Sequence, residues 1–217
     1  MSLIGSTPPM VPSPLGLRVL HGLRLKGFVE AGFLADFVGM ETAEVERRLG
    51  LAGADGFAIF RDGARSGWSL TAEGRKEHDR QLAVELDESG HRADVESAYR
   101  DFLVLNGRML EACTRWQVKD QDSQTLNNHD DPAYDAEVIS ELQEIDAAVQ
   151  PICAVLGGWF DRFSDYGPRF TTAVGRLSGG EIDWFTKPTI ESYHTVWFEL
   201  HEDLLVTLGI DRASERV

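Results

Sequence analysis

The chain has 217 residues, 42% hydrophobic and 26% charged, with a formal net charge of -15. This composition is ordinary for a folded globular protein; no apolar run approaches the roughly 18 residues of a membrane span, and no charged-then-apolar leader is present. A cytoplasmic protein with no membrane partner, built as one large or two small domains, is therefore expected. The acidity is uneven: residues 1–85 carry 10 Lys+Arg against 11 Asp+Glu, whereas residues 86–217 carry 11 against 25, a balance of -1 against -14. Cys113 and Cys153 lie in helical, apolar contexts and read as buried free thiols in preference to a disulfide.

Residues 1–14 hold four of the eight prolines and no periodic apolar face, so they read as a disordered lead-in or linker. A first helix is predicted over Leu17 to Lys26, ended by Gly27. GFVEAGFLADFVGM then pairs Phe33 with Phe37 and Leu34 with Val38 one turn apart, and Gly39 stops it. ETAEVERRLGLAGADG follows, with Thr42 as its expected cap, Val45 and Leu49 inward and Gly56 as the stop. Next come a strand (57–61), a polar turn in which Gly63 and Gly67 would supply positive φ, and a second strand (68–70). Thr71 is placed to cap a helix that continues to about Asp87.

Helix, turn, helix and a two-stranded wing make a winged helix-turn-helix over residues 15–89. That order, with Gly56 before the first strand and the phrase WSLTAEGR leaving the second, resembles the MarR-type winged-helix transcriptional regulators over about Leu17 to Leu86. The resemblance implies a homodimer whose second motif helix enters the major groove. The implied DNA-facing residues are Thr42, Ala43, Arg47 and Arg48 on that helix and Arg61 and Arg65 on the wing. Glu41, Glu44 and Glu46 share the helix and oppose phosphate, so only modest DNA affinity is expected.

Residues 90–217 read as an all-α domain for dimerisation or ligand sensing. A long helix (93–117) carries the stripe Val95, Tyr99, Phe102, Asn106, Met109, Cys113, Trp116. Lys119 to Asp131 is polar and aperiodic, a loop. Asp131-Pro132 opens a helix bearing Val138, Leu142, Ile145, Val149, Ile152 and Leu156, which Pro151 is expected to kink or divide. A short helix opened by Pro168 stops at Gly179-Gly180. The last helix, about Pro188 to Leu208, is apolar on most of its circumference, Phe198 included, and reads as the centre of its domain.

Asn106, Trp116, His129, His194, Trp197 and His201 are residue types that line small-ligand pockets, and a small-molecule effector would sit among them. Asn106 admits a second reading, as a structural hydrogen-bonding group within the stripe. His194 and His201 lie two turns apart, too far to share one metal, so no metal, cofactor or catalytic residue is assigned. No GxSxG, phosphate-binding loop or triad is recognisable. SYHTVWFELHEDLL and NNHDDPAYD are similar to tails of pyruvate phosphate dikinase-type proteins. The alternative they imply is an accessory domain of a phosphoenolpyruvate-utilising system, with the winged helix docking a protein partner.

Overall fold

A computed structural model describes residues 12–120, 122 and 124–215, Ser214 by its backbone alone. Residues 1–11 of the expected lead-in lie outside the described residues. The chain is mainly helical, as expected: eight α-helices and two two-stranded antiparallel sheets occur among the described residues. It divides into two compact units. The first comprises the residues up to Arg92 together with Phe160–Arg162 and Glu202–Glu215; the second comprises Ala93–Trp159 and Phe163–His201.

In the first unit, α1 (Leu15–Lys26) packs against α2 (Ala31–Val38), α3 (Thr42–Ala54) and α4 (Ala72–Ser89). Leu20, Leu23, Leu34, Val45, Leu49 and Leu70 lie within one buried cluster. Gly39, at φ 62°, sits at the end of α2, where a side chain would be strained. The N-cap of α3 is Glu41, which makes no side-chain capping bond, so Thr42 is the first helical residue and not the cap.

Strands β1 (Ala58–Arg61) and β2 (Gly67–Leu70) pair in register Ala58 to Leu70. Neither Gly63 nor Gly67 has positive φ, contrary to the expectation. The turn is held by Asp62, whose Oδ1 accepts from the Gly63 amide at 3.0 Å and the Ser66 hydroxyl at 2.6 Å. Gly67 is needed for space: a Cβ there would lie 2.9 Å from the Phe28 ring and 3.0 Å from the Val29 carbonyl. Thr71 caps α4 as expected, accepting from the Gly74 amide at 3.0 Å, while its hydroxyl donates to the Gly56 carbonyl at 2.6 Å. Gly74 lets α4 close on the chain before β1, since a Cβ there would lie 1.9 Å from the Phe57 carbonyl oxygen.

In the second unit, α5 (Arg92–Gln117) buries Val95, Tyr99, Phe102, Met109 and Trp116 of the predicted stripe, with Asn106 and Cys113 half-buried. A small hairpin, β3 (Val118–Asp120) with β4 (Thr125–Leu126), interrupts the helices where a loop was expected, so the region is not purely helical. Helix α6 (Pro132–Trp159) starts at Asp131, whose Oδ1 accepts from the Tyr134 amide at 3.2 Å. Of the two outcomes expected at Pro151, a kink or a division, the division does not occur: the helix runs on through it. Helix α7 (Tyr166–Ser178) packs against α6, and both cysteines are free, Cys153 buried and Cys113 half-buried. Helix α8 spans Tyr193–Leu208, starting later than expected, with its residues up to His201 in the second unit and those from Glu202 in the first. Tyr193, Val196, Trp197, Leu200, Leu204 and Leu205 are buried, but Phe198 is 48% exposed and belongs to an outer face. Gly209 donates to the Val206 carbonyl and Ile210 to that of Leu205, the paired bonds of a glycine stop.

Candidate functional site

Helix α3 turns Val45, Leu49 and Ala52 into the first unit's core and leaves Thr42, Ala43 and Arg47 exposed, with Arg48 half-buried. Arg47 and Arg48 do not project freely. Glu44 receives Arg47 through two bonds, at 2.8 and 2.7 Å, and Arg48 through one at 2.7 Å. These bonds, Arg47's first, hold the Glu44 carboxyl down to about 2. The hairpin leaves Arg61 and Arg65 exposed, beside exposed Ile59 and Phe60 on β1.

The six residues proposed to line a pocket fall into separate neighbourhoods of the second unit. Trp197 Nε1 donates to Asn106 Oδ1 at 2.9 Å, and Trp197 stacks on Phe102 at 4.7 Å. His201 lies 5.2 Å from the same Phe102 ring and 6.4 Å from Tyr99. Trp116 and His129 meet at 4.4 Å, and Trp116 also touches Phe185 at 4.9 Å. His194 is tied through its backbone amide to the Phe185 carbonyl at 2.9 Å, and burial pushes its imidazole below the ordinary histidine range.

The Trp116 neighbourhood has the most developed polar geometry of these. His129 is held at φ 59° by its amide, which donates to Asn127 Oδ1 at 3.1 Å. Its Nδ1 faces Asp135 Oδ2 at 3.0 Å, while Asn127 Nδ2 donates to Asp135 Oδ1 at 2.8 Å and to the Trp116 carbonyl at 3.2 Å. A carboxylate only accepts, so Nδ1 is the donor in this contact. Asn127 and Asp135 are not singled out as site residues in the sequence, because nothing in their spacing shows that their side chains meet.

A second polar constellation, also unforeseen, is buried in the first unit. His21 Nδ1 lies 3.0 Å from His78 Nε2, and His21 Nε2 lies 3.1 Å from Asp203 Oδ2. Arg162 approaches Asp203 Oδ1 at 3.5 Å, donates to Thr207 Oγ1 at 2.9 Å, and pairs with Glu85 Oε2. Burial first, then the nearby His21 and Arg24, push His78 down to about 2. Burial alone would raise the Asp203 carboxyl, but His21, Arg162 and Thr207 outweigh it and hold it below the usual carboxylate range. Since His78 is then neutral, its Nε2 accepts from His21 and its Nδ1 donates to Asp79 Oδ1 at 3.0 Å.

The first unit also contains a cavity of about 550 Å³ beside α4; none of the six residues proposed for a pocket lines it. Among the described residues no group of three or more His, Cys, Asp and Glu side chains is arranged to hold a metal ion, and no helix is long and apolar enough to cross a membrane. Burial drives both thiols up to about 12, which suppresses thiolate chemistry. No protein-family model, curated protein or solved structure matches the chain.

Proposed function

We propose that the first unit is a winged helix-turn-helix of the MarR-like kind and that the chain is a transcriptional regulator binding duplex DNA as a homodimer. The second unit would serve dimerisation or effector sensing. The observation that carries this reading is the partition of α3, with Val45, Leu49 and Ala52 inward and Thr42, Ala43 and Arg47 outward, next to a hairpin bearing exposed Arg61 and Arg65. A helix presented this way fits the major groove, with the hairpin near the backbone. Phosphate must compete with Glu44 for Arg47 and Arg48, so affinity is modest and salt-sensitive. The experiment is a titration of labelled duplex at low and moderate salt with the native chain and an Arg47→Ala/Arg48→Ala/Arg65→Ala triple variant. Binding lost in the variant supports the site, and binding retained refutes it.

One observation favours a second reading. Ile59 and Phe60 on β1 and Leu51 on α3 are exposed apolar side chains, which suit a protein partner better than a phosphate backbone. Absence of DNA binding at low salt would favour this docking module, including an accessory role beside a phosphoenolpyruvate-utilising enzyme.

A further inference from the structure

The cavity of about 550 Å³ beside α4 is lined by Pro12, Leu17, Arg80, Val84, Glu85 and Glu88, among others. Its volume falls within the range of small-molecule sites, roughly 300–1,000 Å³. Leu17 and Val84, with the prolines, give it an apolar wall. The charged groups are unequally engaged. Arg80 is bonded twice to Glu77, at 2.8 and 2.6 Å, so its charge is already matched. Glu85 gives Oε2 to Arg162, yet its Oε1 is buried with no hydrogen-bond partner. Glu88 lines the cavity from an exposed position. A buried acceptor without a donor is unfavourable and uncommon, so it calls for a physical account.

We propose that this cavity binds a small amphipathic amine. The apolar body rests on Leu17, Val84 and the prolines, and the ammonium donates to Glu85 Oε1 under the added attraction of Glu88. Oε1 is covered in this structure, so binding turns the carboxyl toward the cavity while Oε2 stays with Arg162. An anion is repelled by both carboxylates, and a neutral hydroxyl gains nothing from Glu88. Arg162 also touches Asp203 and Thr207, so occupancy bears on the buried chain that ends at His21 and His78. The proposal is independent of what α3 recognises.

The test uses the full chain, with phenethylamine as probe and 2-phenylethanol and phenylacetate as its neutral and anionic counterparts, followed by amide chemical shifts. Phenethylamine produces saturable shifts centred on Leu17 and residues 80–89, and its counterparts bind at least about tenfold more weakly. Glu88→Gln weakens amine binding about threefold, in keeping with a rim charge. Glu85→Gln weakens it further, but also disturbs the Arg162 pair and so endangers the fold. Val84→Lys avoids that difficulty: Val84 is 42% exposed, and a lysine there places a cation in the cavity without touching Arg162. It abolishes amine binding with the circular dichroism spectrum retained. Equal binding of all three probes, no saturable shift with the amine, or amine binding indifferent to both Glu88→Gln and Val84→Lys would overturn the proposal.

Discussion

Arg47 grips Glu44 through two parallel bonds, Nε to Oε2 at 2.8 Å and a terminal nitrogen to Oε1 at 2.7 Å. Arg48 reaches the same Oε1 at 2.7 Å, so one carboxylate engages both arginines of α3. On the DNA-binding proposal this clasp limits affinity, because each arginine must exchange Glu44 for phosphate. Glu44→Gln removes the competing charge. Affinity for a short duplex at low salt should rise about tenfold, and the log–log salt slope should steepen by about 0.9 for each further phosphate that the freed arginines neutralise. Fluorescence anisotropy across a salt series measures both; an unaltered slope would count against α3 as the DNA-facing helix.

Burial of His78 beside His21 sets the sign of a pH dependence. His78 is held neutral in the fold, its imidazole pushed down to about 2 from 6.5, chiefly by burial. The unfolded chain takes up a proton below about pH 6.5 and the folded chain does not. Stability is therefore complete above that pH and falls as pH drops toward 2, by at most about 1.4 kcal/mol per pH unit from this residue. Asp203, held below the ordinary carboxylate range, adds a loss of the same sign at lower pH. Hydrogen exchange of α1 and α4 amides at pH 7 and pH 4.5 should show weaker protection at the lower value. His78→Gln should reduce that difference while lowering protection at pH 7. An equal difference in the variant would mean that His78 is not the group responsible.

The Leu-Thr-x-x-Gly phrase that closes the hairpin has separable physical parts. Thr71→Ala removes a cap and a hydroxyl donor, and should cost about 1 kcal/mol. Gly74→Ala would drive a Cβ to 1.9 Å from the Phe57 carbonyl oxygen, which is backbone and cannot swing aside. It should cost on the order of 2 kcal/mol or more. Urea unfolding followed through first-unit amides ranks the two. A neutral Gly74→Ala would contradict the close approach of α4 to Phe57.

Much of the helical framework is legible in the sequence because its signals are local. Gly39, Gly90 and Gly209 end helices at positive φ, Thr71 and Asp131 cap the helices after them, and the stripes on α5 and α6 are buried largely as their spacing implies. Local signals also mislead where tertiary packing decides. Gly67 serves Phe28 packing and not turn geometry, and Phe198 interrupts an otherwise buried helix. The polar chemistry is the least legible part. His21 and His78 are 57 residues apart, and Asp203 lies farther still along the chain, so no periodicity announces their meeting. Asn127 and Asp135 become informative only once the fold brings the Asn127 amide to both the Trp116 carbonyl and the Asp135 carboxylate.

Asn106 allows the structural and ligand-binding readings of the second unit to be separated. Its Oδ1 accepts from Trp197 Nε1 at 2.9 Å, and Trp197 is buried against Phe102 and Phe170. Asn106→Leu leaves the indole N–H without its acceptor and should cost about 1–3 kcal/mol. Trp197→Phe removes the donor and leaves the half-buried Asn106 amide free to turn to water, at a separate cost from lost ring volume. If the bond is structural, the double variant should be less destabilised than the two single costs predict together, by about 1 kcal/mol. Hydrogen exchange of α5 amides measures the three variants against the native chain. Additive costs would mean that the pair is not coupled in the folded protein, and Asn106 would then return as a group available to a ligand.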